Sequence, residues 1–166
     1  MTLETHAIVG AALATAIPTH PVTAFCVGFA SHFVVDAIPH YDYPIYSASI
    51  NPKEEGSFHL DQAFLRDMAD FTLDAGAGLL ISIAVFANIL WLPAILAGAI
   101  GGILPDPLQV VYKKWPHEPL AALYRFHQWI HTSRRLRDEG KLMLGIISQA
   151  AFILVVIVAV KVLIPQ

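Results

Sequence analysis

Apolar residues run through this chain in blocks too long and too unbroken to be one face of a water-solvated element. From Leu142 to Ile164 the run is almost wholly apolar, with Gln149 and Lys161 as interruptions. It is long enough to cross a hydrocarbon core of about 30 Å. A second block runs from about Pro21 to Ile38. A third runs from about Met68 to Leu90, and its first turns hold Asp70 and Asp74. A fourth, Leu92 to Leu104, is short and carries Ala97, Gly98, Ala99, Gly101 and Gly102, small residues that let helices approach closely. A first helix is expected from about Leu3 to Ile17, stopping at Pro18. The segment Pro18-Thr19-His20-Pro21 then reads as a tight helix–helix turn.

Two stretches break the pattern. Tyr41 to Leu60 is polar, with Pro44, Pro52 and Gly56, and reads as a loop. Pro105 to Gly140 contains a predicted helix from about Glu118 to Arg137. That helix is apolar along Leu120, Leu123, Phe126, Trp129 and Ile130 and basic elsewhere, as in a helix lying on a membrane surface. The expected fold is therefore all-α: a multi-pass membrane helical bundle of about five spans plus one interfacial amphipathic helix, with residues 1–166 as a single integral-membrane domain.

Composition narrows the class. Hydrophobic residues make up 56% of the 166 residues and charged residues only 14%, against about 25% charged in a soluble domain. This excludes a disordered chain, a basic nucleic-acid-binding domain and an ordinary soluble enzyme. The net charge of -3 points to no nucleic-acid partner. The single cysteine, Cys26, excludes a disulfide framework and a thiolate metal site. No basic segment precedes the first apolar stretch, so it does not read as a secretory signal. With five spans, Lys53, Arg66, Lys113, Lys114, Arg125, Arg134, Arg135, Arg137 and Lys141 fall on one side, and only Lys161 at the other. The positive-inside rule makes the crowded side cytoplasmic, so the expected location is the cytoplasmic (inner) membrane.

The polar residues inside the apolar blocks carry the candidate chemistry. They are His32-x-x-x-Asp36-x-x-Pro39-His40-x-Asp42, Asp70-x-x-x-Asp74, Leu104-Pro105-Asp106-Pro107 and His127-x-x-x-His131-Thr132-Ser133, with His6 near the start of the first helix. An i, i+4 spacing puts two side chains on one helix face with Cβ atoms about 5–6 Å apart, which suits ligands of one ion or of two adjacent ions. Topology alone maps all four patterns to the same membrane face. A carboxylate in a transmembrane helix costs about 2.5–3.5 kcal/mol on insertion scales, and no Lys or Arg lies within the second, third or fourth block to neutralise these. A divalent cation would. Imidazole with carboxylate favours zinc, with manganese or iron as alternatives.

The expected metal ligands are His6, His32, Asp36, His40, Asp70, Asp74, Asp106, His127 and His131, holding one to three ions. Asp106 and His40 are also the candidate catalytic groups. His59, His117 and Asp61 read as solvated loop residues, Asp61 also as a cap of the third helix. Asp67 reads as facing water, His20 lies on the wrong side, and Cys26 is a small apolar residue.

The pieces Ser31-His32-x-x-x-Asp36-x-x-Pro39, Leu104-Pro105-Asp106 and His127-x-x-x-His131-Thr132-Ser133, with Thr5-His6, resemble the small membrane-bound metal-dependent hydrolases of the YdjM-like group. The pieces occur here in a different order, and Pro107-Leu108-Gln109 replaces the end of that group's L-P-D-x-D-H turn. The His, Asp, Pro, His string is also similar to the zinc-dependent phospholipase C and single-strand nuclease superfamily. That resemblance implies a zinc cluster and phosphoester hydrolysis.

No serine or cysteine sits beside a base in a nucleophile context, so a metal-activated water is the expected nucleophile. The expected function is a membrane-embedded hydrolase cleaving a phosphoester, a lipid headgroup or a related group, at the cytoplasmic face. Arg125 and Arg134 are the candidate phosphate-binding residues, and membrane lipid is the expected partner. The alternatives are a structural metal site in a non-catalytic membrane protein, or a divalent-metal transporter.

Overall fold

Helix α1, Leu3–Ala14, is apolar or small apart from Glu4 and His6 in its first turns, and most of it is buried among the neighbouring helices. Leu3, Ala7, Ile8, Ala11, Ala12 and Ala14 are all buried. In this computed structural model residues 1–40, 42, 46–47, 61–86, 88–131 and 142–164 are described. Every regular element among them is a helix: α2 is Pro21–Asp36, α3 Gln62–Phe86, α4 Leu92–Ile103, α5 Pro105–Lys114, α6 Leu120–Ile130 and α7 Leu142–Leu163. Helices α2, α3, α4 and α7 all pack on α1, and α2 also packs along α4.

Glycine permits the closest of these contacts. A Cβ at Gly10 or Gly28 would run into the Gly98 carbonyl, and one at Gly102 into the His6 carbonyl. Backbones therefore touch where α1, α2 and α4 meet, as small residues allow in helix pairs surrounded by lipid. The apolar core joins Ala7, Ile8 and Ala11 of α1 to Ala24 of α2, Phe86 of α3 and Ala94, Ile95 and Ala99 of α4.

The span count is corrected by helix length. Among the described residues two helices, Gln62–Phe86 and Met143–Leu163, are long and apolar enough to cross a membrane, and a third would be α4 with α5 if that pair, bent by 46°, is one broken span. The 12 residues of α1 and the 16 of α2 rise only about 18 and 24 Å at 1.5 Å per residue, short of a core about 30 Å thick. Two to three spans thus replace the five expected. The two long helices are also the ones with little buried surface: apolar side chains such as Leu73, Leu80, Leu154, Val155 and Val162 face outward.

Helix α5 is a second departure. The sequence reading ends the fourth block at Leu104 and places the next helix from about Glu118, but Pro105 occupies the first helical position of α5, where its missing N–H costs nothing. Pro105 and Pro107 remove donors from the backbone ladder, and the axis bends there. The amphipathic helix is α6, shorter at the start than expected; residues 132–140 lie outside the described residues. It leans on α5 through stacked Tyr112 and Tyr124 rings, 4.5 Å apart.

Candidate metal centre

The centre is built around Asp36, which lies at the last turn of α2 with 1% exposure. A carboxylate there faces the negative end of the helix dipole and needs positive or hydrogen-bonding partners. His32, one turn earlier, has Nε2 3.2 Å from Asp36 Oδ2. His127, buried on α6, reaches the same oxygen through Nε2 at 2.8 Å. From α1, His6 Nε2 stands 3.1 Å from Asp36 Oδ1, and its ring stacks on His32 with centroids 3.9 Å apart. His131 caps the C-terminus of α6, with Nε2 3.7 Å from Asp36 Oδ2. Asp106, in the first turn of α5, has Oδ1 3.5 Å from His32 Nε2. The bend between α4 and α5 brings it there.

Backbone carbonyls orient two of the rings. His32 Nδ1 donates to the Gly102 carbonyl at 2.8 Å, and His40 Nδ1 to the Ile38 carbonyl at 2.6 Å. Each bond assigns the proton to Nδ1 and leaves Nε2 as the free donor atom, the arrangement that fixes metal-binding histidines. His40 Nε2 then lies 3.0 Å from Asp42 Oδ1 and 3.9 Å from Asp36 Oδ1. Burial pushes the Asp42 carboxyl up, but the His40 contact and the Met1 ammonium outweigh it and hold Asp42 below the usual carboxylate range.

Ligand-type atoms of His32, Asp36, Asp106 and His127 all lie within 4.8 Å of one another, as do those of Asp36, His40 and His131. The two groups share Asp36. Among the described residues, buried His6 Nδ1 and Nε2, His40 Nε2 and His127 Nδ1 have no hydrogen-bond partner; His6 Nε2 is close to Asp36 but not aligned with it. Unsatisfied buried imidazole nitrogens are costly, and a cation held by Asp36, His40 and His131 would remove that cost at His40 Nε2. The residues therefore fit a metal ion, and a His/Asp cluster able to bind one is present. Phe33 walls the site, edge-on to His32 at 5.4 Å and to His127 at 5.6 Å.

Asp70 and Asp74 do not join the site. Asp70 is exposed on α3. Asp74 Oδ2 accepts the backbone N–H groups of Leu3 and Glu4 at 2.6 and 3.2 Å, so it caps the N-terminus of α1 from another helix. The i, i+4 spacing holds, but α3 carries Asp74 to the start of α1 and leaves Asp70 exposed. Asp67 does not face water: it is buried and accepts the backbone N–H groups of Tyr46 and Ser47 at 2.9 and 2.7 Å. Asp61 caps α3, accepting from Phe64 N at 2.9 Å. Arg125 is exposed and paired with Glu118 at 2.7 Å rather than turned to the centre; the pairing holds the Glu118 carboxyl below its usual range. Arg134 lies outside the described residues.

Two members of the site carry no sequence signal of the kind sought. The amino group of Met1 is 2.6 Å from Asp36 Oδ1 and 3.1 Å from Asp42 Oδ1, a cation that a count of Lys and Arg omits. Gln109 donates to Asp106 Oδ1 at 2.9 Å, and a glutamine among apolar residues reads as neither ligand nor base. Searched against family models, curated proteins and solved structures, the chain matches none.

Proposed function

We propose that this protein is a membrane-embedded metal-dependent hydrolase acting on a phosphoester at the cytoplasmic face of the inner membrane. The supporting observation is the convergence of His32, Asp36, Asp106 and His127 within 4.8 Å, with Asp36 shared by a second group containing His40 and His131. The resemblance to the YdjM-like hydrolases and to the zinc-dependent phospholipase C superfamily supports the same reading, as does the distribution of Lys and Arg, which is one-sided when α4 and α5 count as one broken span.

A bound divalent cation, zinc by the donor set, supplies Lewis acidity and the lowered pKa of a coordinated water. The chain's own residues do the rest. His32 and His127 turn Nε2 towards the centre, and Asp36 offers both carboxylate oxygens, Oδ2 beside His32, His127 and His131 and Oδ1 beside His6 and His40. His6 stacks on His32 and holds its ring. Asp106 is the ligand that solvent reaches, with its side chain 29% exposed against 1% for Asp36, so it is placed to take a proton from an entering water. Phe33 keeps the inner wall dry and strengthens every charge interaction beside it. The substrate is a lipid headgroup phosphoester, because helices with outward apolar faces hold the site beside the bilayer.

The burial of His32, Asp36 and His127 also favours a second reading, a structural ion that ties α1, α2, α5 and α6 together. Detergent-purified protein assayed on a panel of lipid and soluble phosphoesters, with and without chelator, separates the two. Chelator-sensitive hydrolysis is the expected result. A chelator that lowers the melting temperature of a protein hydrolysing nothing, even after metal loading, would leave the structural ion.

A further inference from the structure

Asp106 Oδ1 is 3.5 Å from His32 Nε2 and 3.9 Å from His127 Nε2, too far for either to hold it by a good hydrogen bond. What holds it is an amide. Gln109, one turn along α5 and half-buried, donates Nε2–H to that oxygen at 2.9 Å. The Gln109 carbonyl Oε1 in turn accepts from Gln128 Nε2 at 3.0 Å. Gln128 is exposed on α6, next to His127.

The orientation of each amide is forced by its neighbour. A carboxylate only accepts, so Gln109 must turn its NH2 group towards Asp106. Its carbonyl then faces Gln128, which must offer its own NH2 group. A reversed Gln109 would set a carbonyl oxygen against the Asp106 carboxylate and drive it away from His32 and His127.

We propose that Gln109 is a positioning residue for Asp106, and that Gln128 sets which way the Gln109 amide faces. The proposal rests on the metal-binding reading of the centre. The relay ties the rim ligand on α5 to the helix that carries His127, so both ligand sets are held in register before an ion arrives. Hydrogen-bond partners behind metal ligands typically account for about 10- to 100-fold in affinity.

The test is the affinity of the full chain for Co2+, followed through the visible absorption of the bound ion, in the unsubstituted protein and in Gln109→Leu, Gln128→Glu and Gln128→Lys. Gln109→Leu should weaken binding about 10- to 100-fold. Gln128→Glu should weaken it comparably, because the new carboxylate accepts only and draws the Gln109 NH2 group to itself. Gln128→Lys donates to Gln109 Oε1 and should leave the affinity unchanged. Simple charge attraction predicts the opposite order, since an added negative charge near a cation tightens binding and an added positive charge loosens it. Gln128 is exposed, so equal apo melting temperatures for its two variants are expected. Tighter binding in Gln128→Glu and weaker in Gln128→Lys would overturn the relay while leaving the metal centre in place. No Co2+ binding by the unsubstituted protein would overturn the metal reading and the relay with it.

Discussion

His127 Nε2 meets Asp36 Oδ2 at 2.8 Å across 91 positions of sequence. This buried contact, with Phe33 edge-on to His127 and Phe126, carries α6 onto the end of α2. Asp36 also faces His6, His32 and His131, so the helices that build the centre meet at one carboxylate.

Asp36→Asn is the most damaging conservative substitution predicted. It keeps the shape but removes the charge, and turns one acceptor oxygen into a donor amide aimed at imidazoles. Breaking a buried ionic arrangement on one side costs about 3–5 kcal/mol. Metal content measured by elemental analysis should fall close to zero, while Asp70→Asn, on the exposed face of α3, should leave it unchanged.

Metal should stabilise the fold, and less so in acid. Ion at about 100 times its Kd should raise the unfolding free energy by about 2.7 kcal/mol. The imidazole donor atoms must be unprotonated to bind, so protons compete with the ion. Burial pushes the His32 imidazole down, but Asp106 and Asp36 outweigh it and raise it to about 9, so the metal-dependent rise in melting temperature should be full above that value and shrink as pH falls below it. A rise independent of pH from 5 to 8 would point to a carboxylate-only site.

The residues that sequence spacing singled out divide according to what spacing can encode. His32 and Asp36 sit on one helix, where a period of 3.6 residues is enough to place the pair on one face; His131 stands just past the end of α6, as its extended cap, and still reaches the centre that His127 enters. Asp70 and Asp74 obey the same period, yet Asp74 meets the N-terminus of α1 and Asp70 is exposed. Which way a helix is rotated in a bundle depends on packing against α1, and α3 has apolar residues on most sides. The all-helical fold was legible because apolar runs of this length are satisfied in lipid only by helices or closed barrels. The span count was not, because α1 and α2 are as apolar as spans but too short, and their apolarity serves burial within the bundle. The Gly102 carbonyl on His32 Nδ1 is backbone chemistry, invisible to any reading of side-chain types.

Gly102 joins that chemistry to the packing. Its carbonyl orients His32, and a Cβ on it would strike the His6 carbonyl. Gly102→Ala must push α1 and α4 apart, an overpacking cost of about 1–3 kcal/mol, and both histidines shift with the helices. Lower thermal stability and weaker metal binding are expected together. At Gly76 a Cβ would meet nothing within 4 Å, so Gly76→Ala should preserve both. Comparable losses in the two variants would show that glycine flexibility, rather than close approach at Gly102, is what the site needs.

Asp74→Ala should separate stability from metal binding. Asp74 accepts the first free N–H groups of α1, from Leu3 and Glu4, and truncating a helix cap costs about 0.5–2 kcal/mol. No ligand is lost, because Asp74 belongs to neither His/Asp group. His6 lies one turn inside α1, so fraying there reaches the centre only through the stack of His6 on His32. A lower melting temperature with metal stoichiometry unchanged and affinity reduced only slightly is the expected outcome, read by thermal denaturation and elemental analysis in one detergent. Asp74→Asn, whose carbonyl oxygen can still accept from Leu3 and Glu4, should recover most of the stability. A stoichiometric loss of metal in Asp74→Ala that Asp74→Asn fails to restore would instead return Asp74 to the ligand set and require α3 to turn its acidic face towards Asp36.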